Sequence, residues 1–157
     1  MKISLPGCII PQHAVESTNN TIFVSHLTNE NLGEHACLFA EHYGVSEFSF
    51  LGDVLRVFGG LLVQMKRPGY LTTDSAGRIL VVDKTNNRIL VLDSELRFMR
   101  VLLKADEDKG DPTKLEIHQM TLGGSPCRLY VIKWAYGLIV YSILTSDNVS
   151  SDRRVQL

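Results

Sequence analysis

Between residues 68 and 103, apolar and polar positions come in short blocks rather than in helical or simple alternating order. Tyr70-Leu71-Thr72-Thr73 is a β-prone run behind Pro68-Gly69. Asp74-Ser75-Ala76-Gly77 follows as a turn tetrad, with a side-chain acceptor first and glycine last. Arg78-Ile79-Leu80-Val81-Val82-Asp83 is apolar without clear alternation, as expected of a strand covered on both faces. Lys84-Thr85-Asn86-Asn87 is the next turn, because Asn tolerates left-handed backbone angles. Arg88–Asp93 reads as a second buried strand, Ser94–Arg97 as a turn, and Phe98–Leu103 as an outer strand. Tight turns leave no room for crossover helices, so the block predicts a four-stranded antiparallel meander.

The pattern recurs. Sliding residues 11–26 by 57 places superposes Pro11 on Pro68 and Ile22-Phe23-Val24 on Ile79-Leu80-Val81. Gly44–Phe58 aligns with Arg88–Leu102 at an offset of 44, so the first copy carries about 13 extra residues within 27–43, between its second and third strands. Arg128-Leu129-Tyr130-Val131-Ile132 lies 50 places beyond Arg78-Ile79-Leu80-Val81-Val82. In that third copy the strands fall at Leu115–Leu122, Cys127–Lys133 and Leu138–Ser142. Any fourth strand comes from the polar C-terminal segment 144–157, whose last ten residues are expected to fray. Self-similarity at such a period marks a repeat architecture in which each unit buries its face on a neighbour. The predicted fold is all-β, a partial β-propeller of three blades at about 11–60, 61–106 and 112–143. A flat sandwich would not need the same order of turn and strand residues in each unit.

These residues resemble a known family. Pro68, Asp74, Gly77-Arg78-Ile79-Leu80-Val81-Val82-Asp83, Asn86-Asn87-Arg88-Ile89 and Val91-Leu92-Asp93 are similar to the NHL repeat. That repeat builds the blades of propellers, typically six-bladed, often at the C-terminus of tripartite-motif ubiquitin ligases. The likeness is weaker in the first unit, where Ser25-His26 replaces Val-Asp and Asn19-Asn20 replaces Ala-Gly. It is weakest in the third, where Gly123-Gly124-Ser125-Pro126-Cys127 replaces the Asp-x-x-Gly turn. The resemblance implies an interaction module, with ubiquitylation substrates among the partners its relatives recognise. Three blades cannot close a ring of the usual 4–8. The chain is therefore expected either to be a fragment of a longer protein or to complete a six-bladed ring as a homodimer. In a monomer, the outer faces of the first and third units should be apolar and unpartnered.

Composition narrows the partners. Hydrophobic content of 45% and charged content of 21% fit a soluble globular chain. No run of about 18 apolar residues occurs, so no membrane partner is expected. Cys8, Cys37 and Cys127 are too scattered for a disulfide framework or a zinc module, which points to a reducing, cytoplasmic setting and removes the zinc-binding module that ligase activity would need. Net charge is −1, yet residues 1–60 carry two basic and six acidic side chains, and residues 61–133 twelve and nine.

Candidate sites follow from the loops. Asn86, Asn87 and Arg88 sit where propeller loops gather into a binding face, although Asn-Asn is also plain turn chemistry. Asp83 and Asp93 close strands and are expected to take backbone N–H groups rather than a metal. Arg78 and Arg88, with Lys66, Arg67, Arg97, Arg100 and Lys104, make the second unit basic. Tyr70 and Tyr136 could stack on bases, which makes RNA the alternative partner. Within 27–43, His35 and His42 stand seven apart rather than at the four-residue spacing of a helical metal pair, so this segment reads as a partner-specific loop. No catalytic motif occurs, and neither cofactor nor metal is predicted. Some six-bladed propellers are metal-dependent hydrolases. Glu16, Asn19 and His118 would be the positions to inspect for that third reading. The leading expectation is a non-enzymatic module that binds a protein partner.

Overall fold

Runs of branched and aliphatic residues bounded by Asp, Asn, Ser and Gly favour strand and turn over helix. The computed structural model describes residues 2–7, 9–28, 43–59, 65–74, 76–104, 117–123, 128–133, 137–143 and 149–155, with side chains up to residue 102. Its strands are β1 (Ile9–Glu16), β2 (Ile22–Thr28), β3 (Tyr43–Phe48), β4 (Val54–Phe58), β5 (Pro68–Thr73), β6 (Ile79–Asp83), β7 (Arg88–Leu92), β8 (Phe98–Lys104), β9 (Ile117–Gly123), β10 (Arg128–Lys133), β11 (Gly137–Ile143) and β12 (Val149–Val155). They form three separate four-stranded sheets, each a meander in chain order, and every pairing is antiparallel. Among the described residues there is no helix, hence none long and apolar enough to cross a membrane.

The meander expected over 68–103 is present. One expectation for the third unit needs correction. The segment expected to fray carries β12, which pairs with β11 from Ile143↔Val149 to Leu138↔Val155. Without it the outer N–H and C=O groups of β11 would lack partners, and that need outweighs the polarity of the segment.

Four hairpins share one turn. In each, the first residue carries a side-chain oxygen and the fourth adopts a left-handed backbone: Asn20 at φ 55°, Gly52 at 95°, Gly77 at 75° and Leu96 at 60°. At Asp74, Oδ1 accepts the N–H groups of Ala76 and Arg78, both at 2.9 Å. Asp93 Oδ1 does the same for Glu95 at 2.9 Å and Arg97 at 2.8 Å. Ser49 Oγ accepts from Leu51 and Asp53, and Ser17 Oγ from Asn19. This is the three-residue hairpin loop closed by a left-handed bulge.

The first strand of every sheet is also bulged. Register shifts between Pro11 and His13 in β1 and between Pro68 and Leu71 in β5. In β9 it shifts at His118, which is skipped between Gln119↔Ile132 and Ile117↔Lys133. The two prolines that superpose in sequence thus mark equivalent bulges, sites where a missing N–H costs no ladder bond.

The main core lies between the first two sheets. Phe23, Val45 and Phe58 meet Leu71, Ile79, Val81, Leu90 and Leu92, with Met65 and Leu96 closing it. Each such side chain contributes about 1.5–3 kcal/mol on full burial. Leu80, Val82, Ile89 and Val91, on the opposite face, are buried as well. The second sheet is therefore apolar on both sides, as its unbroken runs required. β5 contacts β1, β2 and β9, so it stands between the other two sheets.

The outer face of the first sheet is not bare, contrary to expectation. Ile9, Val24 and Phe48 form a second cluster, with Leu5, Ile22 and Val54 packed on it, and Phe48 is fully buried. Residues 2–7 cross this face as a strap. A Cβ on Gly52 would lie 2.3 Å from the Ser4 carbonyl oxygen, so only glycine admits the strap there. The N–H of Ile9 turns back to the carbonyl of Pro6 at 2.9 Å. A second copy docking on this face would have to displace the strap. Replacing residues 2–7 by a Gly/Ser sequence should therefore raise binding of a hydrophobic dye and increase the solution mass. Unchanged dye binding and mass would show that the strap covers nothing of consequence.

Candidate binding surface at the Tyr70 end of the second sheet

β5 is the edge strand of its sheet, and the first sheet takes up backbone polar groups that face away from β6. Ser25 Oγ donates to the Gly69 carbonyl at 2.5 Å. His13 Nδ1 accepts the Leu71 N–H at 3.2 Å. Because Nδ1 accepts, the neutral His13 ring carries its proton on Nε2. The same ring meets Tyr70 edge-on, with centroids 5.2 Å apart and planes at 64°. Burial pushes the His13 imidazole below its ordinary pKa, which keeps it the acceptor that the bond requires.

Lys84 approaches from the β6–β7 turn. Its Nζ sits 5.0 Å from the centre of the Tyr70 ring, a cation–π distance. Its stem crosses Gly69 so closely that a Cβ there would lie 2.4 Å from Lys84 Cε. The turn is tied to the entry of β5 by backbone bonds, Lys84 N–H to Arg67 O and Thr85 N–H to Lys66 O, both 3.2 Å. These bonds bring Lys66, Arg67 and Lys84 into one exposed patch. Arg67 has φ 63°, a conformation costing an L-residue roughly 1–2 kcal/mol. Leu96 shares that geometry but is buried in the core. Arg67 is exposed, so no burial offsets its strain.

Asp83, fully buried, organises the same end from beneath. Oδ1 accepts the Lys66 N–H at 2.9 Å. Oδ2 accepts Asn86 Nδ2 at 2.7 Å and Arg88 Nε at 2.9 Å. Its charge is matched by Arg88, which leaves the charges of Lys66, Arg67 and Lys84 uncompensated by any carboxylate among the described residues. The opposite end is balanced. Arg78 pairs with Asp74 at 2.6 Å, and Arg97 with Asp93 at 2.7 Å. Arg56 pairs with buried Glu47 at 2.5 Å, and Thr21 Oγ1 donates to the same carboxylate at 2.7 Å.

The sequence candidates therefore separate. Arg78 lies at the far end, locked to its turn. Asn86 and Arg88 meet on Asp83, while Asn87 takes the left-handed position of its turn with φ 49°. Tyr70 stands at the centre of the cationic end. Glu16 and Asn19 are exposed, at the far end of β1 and in its turn, and His118 is the bulged residue of β9. Tyr136, His35 and His42 lie outside the described residues. No group of three or more His, Cys, Asp or Glu side chains able to hold a metal occurs among those described. Sequence reasoning missed His13 and Lys84. The one available signal was Gly69 inside a strand pattern, which marks a bulge or a close approach.

No protein-family model matches the chain, and no curated protein does. Among solved structures the chain is similar to a protein of unknown function from Bacteroides caccae, at 15% identity and a TM-score of 0.52. The match covers 88% of this chain, and the chain spans 65% of that protein's length. At that identity the likeness speaks for the fold alone.

Two outcomes are expected. Asp83→Ala should cost about 3–5 kcal/mol in urea denaturation, since it removes a fully buried carboxylate that accepts from Lys66 N–H, Asn86 and Arg88; a loss below about 1 kcal/mol would deny Asp83 this role. Stability should also fall in mild acid. His26, buried and 2.8 Å from Ser46 Oγ, is pushed down to about 4 by burial. A depressed histidine stabilises fully above its unfolded value near 6.5 and loses that contribution as pH falls toward about 4, roughly 2 kcal/mol of it by pH 5. His13 adds in the same direction. His26→Gln should flatten the stability profile between pH 7 and 5. An unchanged slope would place the acid sensitivity elsewhere.

Proposed function

We propose that this chain is a non-enzymatic interaction module, built as part of a β-propeller of NHL type, that presents the Tyr70 end of its second sheet to a protein partner. The propeller reading is supported by three meanders with equivalent bulges in their first strands, and by the place of β5 between β1 and β9. The observation that carries the interaction reading is a contrast between the two ends. At one end every arginine with a described ion pair is bound to a turn or strand carboxylate. At the other, three exposed cations have no carboxylate partner among the described residues, and one of them, Lys84, lies over Tyr70. Side chains committed to turns and sheet docking are unavailable for catalysis, whereas leftover charge on a rigid rim suits recognition. RNA is the second reading, favoured by the same three cations.

Site-directed photocrosslinking tests the module. A benzophenone side chain at Thr85 should capture a discrete protein partner from cells, and one at Ser94, at the opposite end, should not. Hydrolysis of a lactone or ester panel that disappears with chelator, without any capture at Thr85, would overturn the reading in favour of an enzyme.

A further inference from the structure

We propose that the partner surface taken by the Tyr70 end is an acidic peptide segment, whose carboxylates are bound by Lys66, Arg67 and Lys84; this rests on reading the chain as an interaction module. Backbone bonds from Lys84 and Thr85 to the carbonyls of Arg67 and Lys66 hold the three cations in one patch. Asp83, the buried carboxylate beneath this end, is already engaged by Lys66 N–H, Asn86 and Arg88. It cannot rotate out to neutralise them. Among the described residues the charge left at this end is therefore positive, which suits an incoming anion.

Order at the site favours binding. The Lys84 stem is seated on Gly69 and its ammonium on Tyr70, so less side-chain freedom remains to be lost on association. Arg67 is held at the tip by a left-handed backbone that nothing in the core explains. A guanidinium takes a carboxylate through two parallel hydrogen bonds, and an ammonium takes it as a point charge. A run of Glu or Asp spaced by small residues offers both.

The geometry disfavours nucleic acid. Single strands bind through free aromatic faces on which bases stack. Here the Tyr70 face lies under Lys84 and the ring also meets His13 edge-on, so a base must first displace a seated cation. Three cations would also release few counterions, which gives only a shallow salt dependence on a polyanion.

The test is fluorescence anisotropy with a short fluorescein-labelled peptide of alternating Glu and Gly, at low ionic strength. The wild-type chain should bind it saturably. The triple variant Lys66→Gln, Arg67→Gln, Lys84→Gln should lose roughly tenfold in affinity or more, and Arg97→Gln at the balanced end should change it little. All three replaced side chains are exposed, so the thermal melt of the triple variant should match the wild type. Lys84→Arg should bind nearly as well as the wild type. Absence of saturable binding, or equal affinity in the triple variant, would overturn the proposal. So would a labelled single-stranded RNA of equal charge that binds more tightly than the peptide. Capture of the same partner at Thr85 by both wild-type and triple variant would leave the interaction module standing and reject only its acidic recognition.

Discussion

The structure depends on the polar seam between the first two sheets. Two hydrogen bonds, from Ser25 to the Gly69 carbonyl and from the Leu71 N–H to His13, join a bulged strand of one meander to the face of another. Apolar contact alone would let two sheets slide, because dispersion and burial are insensitive to register. Directional bonds to main-chain atoms fix one relative position. The edge position of β5 makes this possible, since alternate N–H and C=O groups of an edge strand face away from its one ladder partner. The neutral state of His13 is part of the same constraint, because a doubly protonated ring would point a donor at a donor.

The turns apply a related economy. Asp74 and Asp93 each hold two backbone N–H groups and one arginine, so one side chain closes the loop, caps the unpaired donors and neutralises its own charge. Asp83 does comparable work from a fully buried position, reaching back to Lys66 as well as forward to Asn86 and Arg88. A buried carboxylate is tolerated only when donors replace its lost water. The aspartates, asparagines and arginines that look most like site residues are thus largely occupied in shaping the backbone. Lys66, Arg67 and Lys84 carry charge that these locks do not absorb.

The strap changes how the open edge of the first unit should be understood. Residues 2–7 place Leu5 on the cluster of Ile9, Val24 and Phe48, and the close pass of Ser4 over Gly52 seats it. That face of the first sheet is covered by this short segment. No periodic signal announced this, because six residues outside any repeat unit carry no pattern to align.

Much of the architecture could be read directly. Unbroken apolar runs in Arg78–Asp83 and Arg88–Asp93 announced strands buried on both faces, and Asp-x-x-Gly with a following arginine announced the turn. The superposed Pro11 and Pro68 even marked equivalent bulges. These features are local, set by backbone preference, turn chemistry and hydrophobic period, and so the residues themselves determined them. The fraying expected of the last residues failed for the opposite reason: β12 exists because the edge of β11 offers it a ladder, which no property of Val149–Val155 alone reveals. The candidate surface lay still further from view. Tyr70 could be named from its type, but His13 and Lys84 reach it from positions 57 residues before and 14 after. Only the docking of one sheet on another, and a glycine that lets a lysine stem cross a strand, decided that these three side chains would share one place.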